Sequence, residues 1–582
     1  MSRAYFHFLS PHRMPWLLIA VTLLSGTVYA REPAAQKPTI LTLVPEYIEH
    51  VTANFNPFSH AVMPTAHEFI FEPLIIFNSF QNNKPVYRLA TGYRLDEDLK
   101  GITFTLRQGV TWSDGKPFTA ADVVYSFLLA QKKPNLDSHG IRPWLQSVRQ
   151  IGDNQVYIKL TQPNALIAYS LVLQPIVPKH QWEKVDDPLT FTNPEPIGTG
   201  PFTHIEQLSA DGYLQCRNPR YWQAEQLQID CLHYPKVTNN DDFIARIAQG
   251  EFDWAGSFIP DIERHYASYS PDYNYWQTPA STISLLFNFN SAQPQLRALF
   301  QQRAFRRAIS MAVQRQLLID IAAFGQGAPS EFASGMSQRF ERWADPVTTE
   351  KYRPYISYNP DLARERLDTL GVLDRDQDGW RELPSGQPLL LTIITPKGWS
   401  DFNTTAQLLT EMLADIGLRT QTLQVEFSQF VEQMAHADYT LALTNYPEGL
   451  TPFNYFKLGF DSAYQAPQYP RYAMHFYRDP QIDTLLARFP TAATAHQRLS
   501  IIRELDSLVA SQQITVPLYN TVQFYQYNTQ RFTGWFNEDN PIANPVVWPQ
   551  NPERLLHVLA LRPKTPPTQS ATAAPNTETN QP

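Results

Sequence analysis

Strand-type and helix-type apolar periodicities alternate along most of this chain. That alternation is the feature that most restricts what it can fold into. Residues 39–44, 103–106 and 156–160 repeat with the two-residue period of a strand. Between them, Thr119 with Asp122 three positions on marks a helix start, and Val123, Val124, Phe127 and Leu128 supply its buried face. Residues 305–324 read as a longer helix. Phe305, Ile309, Val313, Leu317 and Ile321 line one side, and Arg306, Arg307, Gln314 and Arg315 lie elsewhere. Residues 404–416 form another helix, ended by Gly417, after which Leu423, Val425 and Phe427 alternate as a strand. Strands interleaved with helices imply an α/β protein. At 582 residues it is too long for one core.

Composition narrows the function. The net charge is -8, which argues against a nucleic-acid partner. There are 48 prolines, which favour ordered loops between short elements over long helical bundles. Arg3 and Arg13 precede a short apolar run at residues 16–24, and SGTVYA at 25–30 ends in a small-residue cleavage pattern. Residues 1–30 are expected to be a signal peptide, cut near Ala30, which places the protein in the periplasm. Residues 562–582 lack apolar periodicity and are expected to be a disordered tail. Only two cysteines exist, Cys216 and Cys231, each within strand-like sequence. A disulfide is expected in an oxidising compartment, and closing so short a loop contributes roughly 3 kcal/mol.

The segment TWSDGKPFTAADVVY at residues 111–125 resembles the signature of family 5 extracellular solute-binding proteins, the oligopeptide-binding type. FNPF at 55–58, GTGPF at 198–202 and RAFRRAISMA at 303–312 follow in family order. The resemblance implies a two-lobed periplasmic-binding-protein fold with an extra domain on the first lobe. On that pattern residues 31–65, 196–286 and 528–561 form the first lobe, 66–195 the extra domain and 287–527 the second lobe. The chain crosses between lobes near Phe287 and Tyr527. It further implies a monomeric receptor that hands its ligand to the membrane subunits of an ABC importer. A sensor kinase is a second possible partner by family analogy. Neither catalysis, cofactor nor metal is implied.

Within the family, FTNPEPIGTGPF at 191–202 and GEFDWAGSFIPDIE at 250–263 are similar to its oligosaccharide-binding branch. KGWSDFN at 397–403, YPRYAMHFY at 469–477, FYQYNTQRFTGW at 524–535 and WPQNPERLLHV at 548–558 resemble chitin-oligosaccharide binders. By this resemblance Trp399 and Trp548 stack on a sugar ring, one from each lobe. Asp401, Asn445 and Arg471 hold its hydroxyl or acetamido groups, with Tyr472 and Asn240 as weaker candidates. The chemistry suits a pyranose, whose C–H faces match a flat indole and whose hydroxyl rim matches amides and charges. Two positions depart from the pattern. Pro447 stands where an aromatic is expected, and Ala53 where a basic residue is.

Two rivals stay open. Peptide-binding relatives place an aspartate where this chain reads Thr444-Asn445-Tyr446, and an ammonium prefers a carboxylate to an amide. Glu448 lies close enough to keep the oligopeptide reading in play. A secreted glycoside hydrolase also uses aromatic platforms, but needs two carboxylates about the scissile bond. Asp374, Asp376, Asp378 and Gly379 resemble the first half of a calcium loop. Its twelfth position is Ser385 rather than Glu, so a self-satisfied turn is expected.

Overall fold

A computed structural model describes residues 37–564, apart from 49, 60, 138, 447 and 466–471. The expected signal peptide, Arg471 and Pro447 lie outside the described residues.

The described chain is built on two main sheets, a four-stranded sheet and two two-stranded pairings. The first sheet has seven strands in the order Tyr273–Tyr275, Gln526–Asn528, Trp254–Ala255, Ile40–Val44, Cys231–Pro235, Gly212–Arg217 and Phe202–Ser209. Its central strand Ile40–Val44 runs parallel to both neighbours. Such a doubly flanked strand must be apolar on both faces, and Leu41, Leu43 and Val44 are fully buried. The second sheet has six strands in the order Ala328–Pro329, Thr515–Gln523, Thr278–Phe287, Leu441–Thr444, Leu390–Pro396 and Arg419–Val425. Leu390–Pro396 is parallel to both its neighbours. A four-stranded antiparallel sheet, Ala90–Leu95, Gly101–Leu106, Gln155–Leu160 and Leu145–Ile151, carries a separate core of Ile102, Phe104, Val123, Phe127, Val156 and Ile158.

Two adjacent crossings join the main sheets. Tyr275 ends a strand of the first, and Thr278 begins one of the second; Gln523 and Gln526 make the reverse step. The crossings therefore run through residues 276–277 and 524–525: the second is beside Tyr527 as expected, and the first precedes the strand that ends at Phe287. The shift at the first arises because Thr278–Phe287 pairs with Thr515–Gln523 from its first residue. The Trp276 N–H donates to Tyr525 O at 3.1 Å, so the two crossings are hydrogen-bonded to each other. The last helix, Glu553–Ala560, returns to the first lobe. There the fully buried Arg554 donates to Glu68 Oε2 at 2.8 Å and to the carbonyls of Pro64 and His67.

Local signals explain most elements. Thr119 caps Ala120–Lys132, with its backbone N–H bonded to Asp122 Oδ2 at 2.8 Å. Cys216 and Cys231 sit directly opposite each other on antiparallel strands and are joined by a disulfide. The helix read at 305–324 is instead two, Arg303–Met311 and Arg315–Ile321. Arg315 is the reason. It is buried, and its guanidinium donates to the carbonyls of Ser310, Ile356 and Pro517, which holds the chain in a break at the first helix's end. Arg306 is likewise buried, bonded to Phe300 O and Gln513 O, while Ile321 is exposed. The helix expected at 404–416 spans Ser400–Ala414, and Phe427 opens a helix, Phe427–Ala435, rather than ending a strand. Arg562 and Pro563, assigned to the tail, pair with Phe532–Thr533.

Candidate ligand-binding cleft

In open α/β sheets, loops at the carboxyl ends of parallel strands collect binding groups. Here those ends supply four of the seven candidates, Asn240, Trp399, Asp401 and Asn445. In the first lobe, Tyr47 follows Ile40–Val44, Asn240 follows Cys231–Pro235, and Gly256 with Ser257 follows Trp254–Ala255. In the second, Trp399 and Asp401 follow Leu390–Pro396, and Asn445 follows Leu441–Thr444.

Trp399 is half-buried at the N-terminal cap position of Ser400–Ala414. Phe402 meets its ring edge-on at 5.1 Å, and Phe427 lies nearly parallel at 5.4 Å and 20°. These three rings, the aliphatic Val431 and Met474, and the amide of Asn445 line one cavity. Phe430 and Thr444 complete its lining, so aromatic rings stand beside a polar pair, Thr444 and Asn445. Asn445 is fixed there by its Nδ2, which donates to Ser281 Oγ at 2.6 Å.

Trp548 belongs to the first lobe. It packs against that lobe's core, with Phe524 edge-on at 6.4 Å, and its Nε1–H donates to Gly256 O at 2.6 Å. A Cβ on Gly256 would sit 2.7 Å from that nitrogen, so the close approach requires glycine. Gln526 holds the neighbouring Ser257 at both its N–H (3.2 Å) and its carbonyl (2.9 Å), and so ties this loop to the hinge.

A polar relay joins the two lobes beside these indoles. The Tyr47 hydroxyl adjoins the Ser257 side chain and donates to Asn240 Oδ1 at 2.5 Å, and Asn240 Nδ2 donates to Ser400 Oγ at 3.2 Å. Burial pushes the Tyr47 hydroxyl well above its ordinary range, so it stays a neutral donor. Burial also pushes the Asp401 carboxyl up to about 6, against the opposing pull of the Phe402 and Asp401 backbone N–H groups. A second direct bridge runs from Gln326 Nε2 to Ile259 O at 2.7 Å.

Tyr472 rests edge-on against Tyr464 at 5.6 Å and does not line the cavity, whereas Met474 does. Tyr47, Ser257, Ser281, Ser400 and Phe427 were missed in the sequence. Tyr47 and Ser257 were findable, since each lies just past a strand that a parallel-sheet assignment would have flagged. Away from the cleft, carboxylate oxygens of Asp374, Asp376, Asp378 and Glu382 lie within 4.8 Å of one another. Each side chain accepts a backbone N–H of its own loop, which is the expected self-satisfied turn. Among the described residues, no helix is long and apolar enough to cross a membrane.

The fold has close counterparts among solved structures. A periplasmic oligopeptide-binding protein of an oligopeptide ABC transporter from Thermotoga maritima superposes with a TM-score of 0.83 at 23% identity, over 91% of this chain and 100% of that one. The same Thermotoga protein with mannohexaose bound gives 0.81, over 91% and 99%. The oligopeptide-binding protein AppA of Bacillus subtilis in complex with a nonapeptide gives 0.72 at 18% identity, over 91% and 100%. In sequence, a putative ABC transporter peptide-binding protein of Brucella ovis is 25% identical over 69% of this chain and 72% of its own length. Protein XP55 of Streptomyces lividans is 30% identical over 45% of this chain, which spans 46% of that protein. The model of bacterial extracellular solute-binding proteins, family 5 Middle, matches residues 84–466, more than half of the chain. The chain therefore belongs to family 5 of the bacterial extracellular solute-binding proteins.

Proposed function

We propose that this protein is the periplasmic receptor of an ABC importer and that it encloses an oligosaccharide, chitin oligosaccharide first among candidates, between its two lobes. The observation that carries the reading is the pair of half-buried indoles on opposite lobes: Trp399, on a carboxyl-end loop of the second sheet, and Trp548, hydrogen-bonded to Gly256 on a carboxyl-end loop of the first. Indoles cover pyranose faces with little loss of conformational freedom. Asn445 adds a neutral amide suited to hydroxyl or acetamido groups. A ligand that touches both lobes stabilises the closed arrangement, which the importer's membrane subunits then recognise. The protein acts as a monomer without a cofactor, exported by its N-terminal segment. A sensor kinase is a further partner by family analogy.

An oligopeptide is the second reading. Relatives in sequence and fold are named as peptide-binding proteins. Three residues beyond Asn445, the buried Glu448 has one carboxylate oxygen without a partner among the described residues. Thermal-shift and calorimetric titration against chitin, cello- and xylo-oligosaccharides and short peptides separates the two. Binding of a sugar alone supports the first reading, and binding of peptides alone replaces it with the second.

A further inference from the structure

The four-stranded sheet, and the hairpin of Ile75–Asn78 and Lys84–Tyr87 that shares its core, do more than decorate the first lobe, because their loops interlock with the second. Ser79–Gln81 is followed by Asn82 and Asn83, both with left-handed backbone at φ 54° and 59°. That turn presents two amides side by side. Arg342 Nη1 of the second lobe donates to Asn82 Oδ1 at 2.8 Å, and Asn83 Nδ2 donates to Leu450 O at 3.2 Å. A second loop of the domain is pinned by Asn164, whose N–H donates to Leu99 O and whose Oδ1 accepts from Leu166 N. The adjoining Ala165 N–H donates to Pro490 O of the second lobe at 2.9 Å.

The apolar packing is reciprocal. Leu166, from the four-stranded domain, packs against the second lobe's core, and Leu450, from the second lobe, packs against the core of the four-stranded domain. Each side inserts one leucine into the other. None of Asn82, Asn83, Leu166 or Leu450 lines the cavity by Trp399. Yet Leu450 ends a short loop that begins at Asn445, which does line it.

We infer that this interlock is a latch, which raises the closed fraction of the empty receptor, leaves further closure to the ligand, and steadies the chain that follows Asn445. The latch spends no ligand contact, so it raises the closed fraction of the empty receptor. Apparent affinity scales with that fraction. The residues named are positioning residues, acting on the ligand only through Asn445 and through closure.

The test uses the mature chain without ligand. Small-angle scattering compares wild type with Asn83→Gly/Leu166→Ala; glycine keeps the left-handed turn while removing the amide. The empty wild type is expected to be more compact than the empty double variant and to contract less than it does on loading with chitotriose. The double variant is expected to expand when empty, contract when loaded, and bind roughly five- to tenfold more weakly. An empty wild type as expanded as the variant overturns the latch, as does an unchanged affinity. If Leu166→Ala fails to fold, Asn83→Gly alone gives the same comparison with smaller changes. A calorimetric blank with chitotriose removes the sugar reading, and the scattering of the empty proteins still decides the latch.

Discussion

Asn240 and Ser400, one from each lobe, are hydrogen-bonded at 3.2 Å across the cleft, immediately beside Trp399. Asn240 is itself oriented by Tyr47, so a residue that sequence resemblance offers as a ligand contact is engaged in closure. Asn240→Ala is expected to weaken ligand binding by about threefold to tenfold, the worth of one neutral hydrogen bond. Thermal unfolding without ligand should move by no more than a degree or two. Calorimetry beside a melting curve checks both.

The Trp548 site rests on Gly256. In Gly256→Ala the new Cβ meets the indole nitrogen, whose hydrogen bond to the Gly256 carbonyl then breaks or bends. Affinity should fall roughly as far as in Trp548→Ala, by about 1–3 kcal/mol. Tryptophan emission of the empty protein should shift, which Trp548→Ala in the same background would abolish.

Two buried carboxyls contribute to the pH response of stability. Burial pushes Glu448 up to about 7 and Asp506 up to about 6, against the Ser337 and Ser334 hydroxyls that lower them. A raised carboxyl pKa means that the folded state binds more protons than the unfolded state between the two values. The contribution of these two carboxyls therefore rises as pH falls from 8 towards 5, and their destabilisation is complete above the folded pKa, whereas His67, His475 and His557, held by burial down to about 3, act in the opposite sense as pH falls through the ordinary imidazole range. Glu448→Gln should gain about 1–3 kcal/mol over wild type at pH 8 and little at pH 5. Melting temperatures of both proteins across that range measure the difference.

The Cys216–Cys231 disulfide bridges neighbouring strands at the Cys216↔Cys231 pair of the first sheet. Cys216→Ser/Cys231→Ser should cost about 2–4 kcal/mol of stability. Neither cysteine lines the cavity by Trp399, so affinity should change less than about twofold. Denaturant unfolding and calorimetry on the same preparations check the pair of outcomes.

Much of this architecture was legible in the residues. Thr119 and Asp122 marked a helix start through local capping chemistry, and the cysteine pair sat in strand-like sequence. Signals of that kind need no knowledge of distant chain. The break at 312–314 was not legible, because the sequence repeat Phe305, Ile309, Val313, Leu317, Ile321 runs on through it, although the second helix buries Leu318 and Ile319 and Arg315 is recruited by carbonyls from residues 356 and 517. Edge exposure hid the start of Arg419–Val425, whose residues are mostly solvent-facing, so that only its end was read, through Leu423 and Val425. At the cleft, Trp399 and Asn445 were found by resemblance and line one cavity, and Tyr472 lies off it. Tyr47 and Ser281 carry no motif; they matter only because folding places their hydroxyls against Asn240 and Asn445.

The account turns on two indoles gripping a sugar ring. Isothermal titration of chitotriose into wild type, Trp399→Ala and Trp548→Ala tests it most directly. The account predicts saturable binding to the wild type and an affinity at least about tenfold weaker in each variant. Equal affinity in all three proteins, or heat from a tripeptide but none from the sugar, would contradict it.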